Sequence, residues 1–194
     1  MKARCFISLG ALALVLAGCV VQTVQPLFAD RDLISYPALV GTWEQKDDGK
    51  RIGLWVFSGD GQHYQLTQTD EKGLKAKFAV IAGKIGTNVF LDFTVRALEP
   101  ENSINDLAAF SLFPAHTFAK LVKTEDALLL IGMDYDWLRQ HLTENPKAVP
   151  HVFQEKRPLL TGSTEELQKF VAGHADDKEI FKNEIRLTPA KDAK

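Results

Sequence analysis

The sequence predicts a mainly β fold, an antiparallel meander forming a barrel or half-barrel, with a short helix near 135–144 and a C-terminal helix near 164–174. Three observations carry this reading. Short runs of alternating apolar and polar residues recur from Val40 onward, and the breaks between them are rich in aspartate and glycine. Apolar residues take helical spacing in only two places.

The chain opens with a leader. Lys2 and Arg4 flank the start of an apolar run, residues 5–17, that Ser8 and Gly10 interrupt only weakly. Charge first, then apolar residues, then small ones is the order of a secretory signal. The run is shorter than the roughly twenty residues that a membrane-spanning helix needs. It ends in Leu16, Ala17, Gly18 and Cys19, which resembles the lipobox of bacterial lipoproteins. The resemblance implies removal of residues 1–18, an S-diacylglycerol on the Cys19 sulfur and an N-acyl group on its freed amine. Small Ala17 and Gly18 give a peptidase access to the bond, and Cys19 supplies the nucleophilic sulfur. Cys5 leaves with the leader, so neither a disulfide nor thiolate catalysis is expected of the mature chain. Val20, rather than an aspartate, follows the cysteine. In lipoproteins of Gram-negative bacteria that favours attachment to the outer membrane, on its periplasmic face, over the inner membrane or cell membrane. Residues 19–36 then read as a lipid-anchored tether to a single domain, 37–194. Leu27, Phe28, Leu33 and Ile34 make the tether too apolar for a free linker, so part of it is expected to pack on the domain.

Past Pro37 the meander begins. Segments 40–46 and 51–58 flank Asp47-Asp48-Gly49-Lys50, and Gly59-Asp60-Gly61 follows. Aspartate and glycine tolerate the positive backbone angles of tight hairpins. Segment 62–69 leads into Asp70-Glu71-Lys72-Gly73. Leu74, Ala76, Phe78 and Val80 then alternate with Lys75 and Lys77, and after Gly86-Thr87-Asn88 the pattern returns at Val89, Leu91, Phe93 and Val95. A period of two marks strands with one buried face. A longer connection, 98–114, is expected to hold one helical turn near 106–110. Segments 116–123 and 127–133 form the next hairpin around Thr124-Glu125-Asp126.

Residues 134–144 place Trp137, Leu138, His141 and Leu142 on one helical face and stop at Asn145-Pro146. Residues 150–161 read as one strand bent at Pro158. Ser163 and Glu166 make a capping box, in which each side chain satisfies a free backbone amide of the other. Leu167, Phe170, Val171 and His174 follow at helical spacing, so this helix should lie on the sheet. One further turn over 176–182 and a short strand over 184–188 complete the chain.

This order of strands and helix, with Gly41-Thr42-Trp43 opening the first strand, resembles the lipocalin family and its calycin relatives, in which a G-x-W tryptophan closes the barrel floor. Arg186 is the position the resemblance assigns to that tryptophan's arginine partner. The mature chain is also similar to a family of bacterial lipoproteins that share a Val-Gly-Thr-Trp first strand, an Asp-Trp-Leu helix and a late Thr-Glu-Glu-Leu-Gln helix. The resemblances imply a lipocalin-like fold and an envelope location, and no activity.

Composition and motifs narrow the function classes. The formal net charge is −2, with both signs mixed along the chain. Such a surface has no basic field to recruit nucleic acid, so no nucleic-acid partner is expected. His63, His116, His141, His151 and His174 show no metal-ligand spacing, and neither a metal nor any cofactor beyond the acyl groups on Cys19 is expected. Asp134 and Asp136 with His141 are the nearest approach to a catalytic group. The same carboxylates serve to cap the 134–144 helix and to complement its positive end. No G-x-S-x-G elbow occurs, and Gly59-Asp60-Gly61 lacks the helix and lysine of a phosphate loop.

The aromatic residues on the strands point elsewhere. Trp43, Trp55, Tyr64, Phe78, Phe93 and Phe118 either fill the barrel as core or line a ligand cavity, since both uses draw on the same residue types. The expected function is therefore a non-catalytic, membrane-anchored binding or interaction module of the cell envelope, with an envelope protein as partner. The alternatives are a carrier or sensor of a small apolar ligand and, third, an envelope hydrolase using Asp134, Asp136 and His141.

Overall fold

The computed structural model describes residues 20–99 and 115–191. In chain order the strands are β1 (Gln22–Thr23), β2 (Gly41–Asp47), β3 (Lys50–Gly59), β4 (His63–Asp70), β5 (Lys75–Ile85), β6 (Asn88–Glu99), β7 (His116–Lys123), β8 (Leu128–Met133), β9 (His151–Gln154), β10 (Arg157–Leu160) and β11 (Phe181–Pro189). Helix α1 (Tyr135–Glu144) follows β8, and α2 (Thr164–Ala172) follows β10.

Strands β2 to β8 form the expected meander, each antiparallel to its predecessor. Strand β11 pairs with β8 on one side and β2 on the other, and the ring closes into an eight-strand antiparallel barrel. The fold is compatible with a lipocalin-like barrel. Local chemistry sets the hairpins: between β2 and β3, Asp48 at φ 46° and Gly49 at φ 77° supply the two left-handed positions of a tight turn.

Alternation along the strands divides the core in two. Interior positions of the barrel pack Phe57, Tyr64, Leu66, Val80, Leu91, Leu121, Leu128 and Leu187 into one cluster. Outward positions such as Phe90, Phe118 and Met133 join Leu138 and Leu142 of α1 and Leu167, Phe170 and Val171 of α2 in a second. Both helices begin as anticipated. The Asp134 side chain accepts from the Trp137 amide at 2.7 Å, and Ser163 and Glu166 form the reciprocal box.

One end of the barrel is plugged. A 3-10 turn, Pro37–Leu39, puts Leu39 into the interior at 0% exposure. Trp43 Nε1 donates to the Leu39 carbonyl at 3.0 Å, and the Tyr36 amide donates to Tyr64 Oη at 2.6 Å. Trp43 thus packs at the plugged end of the barrel. Arg186, however, does not partner it: the guanidinium turns outward to grip Asp126 with bonds of 2.9 and 2.7 Å. One guanidinium nitrogen reaches both carboxylate oxygens, and Asp126 lies on the turn beside β8, the strand Arg186 pairs with.

The segment before the barrel is more than a tether. Gln22 and Thr23 pair with β7 on one edge and β10 on the other, and Leu27, Phe28 and Leu33 are buried. Gln168 of α2 donates to the Leu27 carbonyl and Thr164 to that of Pro26. The segment then crosses to β5, where the Ile34 amide donates to the Ala82 carbonyl.

Two further expectations are corrected. Residues 150–161 are not one bent strand but the hairpin β9–β10, because Glu155 at φ 49° and Lys156 at φ 69° reverse the chain. Leu74 does not share the interior face of Ala76 and Phe78: it lies in the turn before β5 and is 53% exposed. The lipobox, Leu16 to Cys19, and the helical turn expected near 106–110 lie outside the described residues.

Candidate functional site

The interior beyond the plugged end holds a cavity of about 600 Å³, within the range of roughly 300–1,000 Å³ typical of small-molecule sites. Its wall is built from alternate residues of neighbouring strands: Trp55 of β3, Leu66 and Gln68 of β4, Phe78 of β5, Phe93 of β6, Thr117 and Ala119 of β7, Leu130 of β8 and Ile185 of β11. Register explains the grouping, since Trp55 lies opposite Gln68, Leu66 opposite Phe78, and Phe93 opposite Thr117. Polar side chains on the wall include Gln45, Gln68, Thr117, Asn183 and Glu184, and Trp55 Nε1 donates to Gln45 Oε1 at 3.3 Å.

Of the six aromatic residues singled out from sequence, Trp55, Phe78, Phe93 and Phe118 line this cavity. Trp43 and Tyr64 belong to the packed floor, held there by the hydrogen bonds to Leu39 and Tyr36.

The cavity reaches the surface where the wall splits. Strands β7 and β8 are laddered only from Lys120 opposite Ile131 to Lys123 opposite Leu128. Upstream of Lys120 the same edge of β7 is taken by β1, at His116 and Thr117. In the gap, Phe118 and Ala119 of β7, Gly132 and Met133 of β8, Lys182 of β11, and Val20 and Val21 border the cavity. Val20 is 47% exposed, while Val21 is 3% exposed and packs in the outer cluster with Phe118 and Met133.

A buried polar cluster that the sequence reading missed lies on the outer wall. Asp92, 2% exposed, accepts from the Leu27 amide at 2.6 Å and lies 2.7 Å from His116 Nδ1. Thr94 Oγ1 is 2.9 Å from that same Nδ1. A hydroxyl–imidazole–carboxylate relay needs the hydroxyl and the carboxylate on opposite ring nitrogens. Here both share one nitrogen, so Thr94 is not the hydroxyl of such a relay, and the Asp92 carboxylate holds the Leu27 segment. Only its strand alternation in the sequence, Asp92 between Leu91 and Phe93, hinted at an outward-facing group.

The other chemical candidates are already engaged. Asp134 caps α1 and pairs with Lys182 at 3.2 Å, Asp136 faces Arg139 at 3.6 Å, and His141 stacks on Trp137 with ring centroids 4.7 Å apart. His174 packs against Trp137, Phe170 and His141. Burial, reinforced by the His141 charge, holds its imidazole below its ordinary pKa. Among the described residues no group of three or more His, Cys, Asp or Glu is arranged to hold a metal ion.

Comparison with family models, with curated proteins and with solved structures finds no match to the chain.

Proposed function

We propose that the chain is a non-catalytic lipoprotein of the cell envelope, attached through acylated Cys19 to the periplasmic face of the outer membrane, whose barrel binds an elongated apolar group. The observation that carries this reading is the cavity of about 600 Å³ inside a barrel plugged at one end and open at the β7–β8 gap. Its wall is aromatic and aliphatic with a few polar groups, the composition of sites that take amphiphiles by burial and orient them by one polar end. The lipobox supports the location, and Thr94 does not complete a hydroxyl–imidazole–carboxylate relay with His116 and Asp92.

The test uses the mature-length chain with Cys19→Ala, titrated with a fluorescent fatty acid and weighed by native mass spectrometry. Saturable binding near one probe per chain, displaced by unlabelled fatty acid, is expected. A protein that neither retains nor binds an apolar molecule would sink the cavity reading. The anchor is tested apart from it: unchanged outer-membrane recovery of Cys19→Ala on cell fractionation would overturn the lipid attachment.

One observation favours a protein partner as a second reading. Strand β9 ends the described sheet, with Val152 50% and Phe153 44% exposed along it. An unpaired edge with apolar side chains is a template for strand addition. Lysine substitutions at both positions would abolish such a complex and leave fatty-acid binding intact.

A further inference from the structure

The opening of the cavity and the acylation signal meet at one place. Val20 and Val21 are part of the cavity wall, and β1 begins at the next residue, where Gln22 is locked between Thr117 of β7 and Leu159 of β10. Residue 19 is covalently one peptide, about 3.8 Å between Cα atoms, from a residue bordering the cavity. Extending the β1 register places Val20 beside Ala119, and beyond Ala119 the edge of β7 belongs to Ile131 of β8. Val20, the first described residue of this stretch, therefore lies at the gap itself.

We propose that the occupant of the cavity is one of the acyl chains carried by Cys19, so that the protein shelters part of its own anchor. This rests on the lipobox reading and names the ligand of the cavity. Size supports one chain: a methylene fills about the volume of one liquid water, ~30 Å³, so about 600 Å³ accommodates on the order of twenty such groups. That is a single long acyl chain and not two. The two chains left outside satisfy the need for more than one to hold a protein stably on a membrane. Linkage decides between the tethered chain and a free amphiphile. A group attached at the opening is present at an effective concentration of order mM, which a sparsely soluble lipid does not reach in water. The opening is also bordered by the small residues Ala119 and Gly132, which leave room for a chain to pass.

The experiment uses the intact protein in cells fed a fatty acid carrying a diazirine, which is incorporated into the acyl groups. After irradiation, peptide mass spectrometry reads the crosslinks. The expected result joins the acylated Cys19 peptide to interior residues of β3, β5 or β6, at Trp55, Phe78 or Phe93. In Gly132→Leu the crosslink should fall at least tenfold. A Cβ at Gly132 meets its nearest neighbours, in Asn183, at an ordinary 3.7 Å, so the first atom of a side chain is accommodated at a position that borders the cavity. Crosslinks from an acylated Cys19 only to phospholipid or to the outer wall would overturn the proposal and leave the anchor standing. Phospholipid adducts inside the barrel without the Cys19 crosslink would overturn it too, with a leaflet lipid as the occupant, and so would a crosslink undiminished in Gly132→Leu. Absence of acyl mass on Cys19 would overturn the lipobox reading and this proposal together.

Discussion

Asp92 and Leu27 are joined across 65 positions of sequence by a single buried hydrogen bond, the Leu27 amide donating to Asp92 Oδ2 at 2.6 Å. The bond holds the entering segment on the outer wall of β6, while His116 holds the second carboxylate oxygen. Removing the acceptor strands a buried N–H, which costs about 1–3 kcal/mol. Asp92→Ala should therefore lower the melting temperature by several degrees, at about 2–4 °C per kcal/mol for a domain of this size. Amide exchange should accelerate first in residues 21–33. Asp92→Asn keeps one carbonyl acceptor and should cost less, and equal losses in the two variants would refute the assignment.

Gly83 and Phe28 form a second clasp on the same segment. A Cβ at Gly83 would sit 2.4 Å from the Phe28 ring, far inside contact distance. Gly83→Ala must displace a side chain that is 2% exposed, and overpacking of this kind costs about 1–3 kcal/mol. Phe28→Ala alone should cost about 3–5 kcal/mol. Because both changes act on one contact, the double variant should be markedly less destabilised than the sum in a denaturant series. Strict additivity would contradict the packing.

The helical layer should loosen in mild acid. His174 is held below its ordinary value of 6.5, first by burial and then by the charge of His141, while Asp177 opposes the shift. The unfolded chain therefore binds the proton at a higher pH than the folded one does. Stability from the neutral ring is present above about pH 6.5 and is lost as pH falls through the folded value. Denaturant midpoints measured on either side of that window should fall on acidification in the wild type. They should fall less in His174→Gln, and an equal fall in both would assign the effect to other groups.

The strand meander and helix α2 were legible because their signals are local: alternation in β5 and β6, turn residues between β2 and β3, and the Ser163–Glu166 box that starts α2 each act within a few residues. What escaped was long-range. Gln22 and Thr23 are too short a strand to show a period and exist only because β7 and β10 flank them. Pro158 suggested a bend, whereas the reversal lies at Glu155 and Lys156, two residues that rarely adopt positive φ. The cavity was half legible. Aromatic residues on strands announce an interior, but that Tyr64 fills it and Phe78 borders a void depends on the plug formed by Leu39.

That division between void and packed floor gives the last prediction, a contrast between two interior alanines. Ala119 borders the cavity, whereas Ala82 is 0% exposed among the packed residues of the floor. Adding methylenes to a filled site forces neighbours off their rotamers at about 1–3 kcal/mol, so Ala82→Leu should lower the denaturation midpoint accordingly. At Ala119 the added atoms enter empty space and gain contacts that the void lacks. Ala119→Leu should leave stability unchanged or raise it, while weakening fatty-acid binding to the Cys19→Ala chain by reducing the volume on offer. Comparable destabilisation by both substitutions, measured by urea titration, would mean that the barrel is filled throughout and that the cavity is not a binding site.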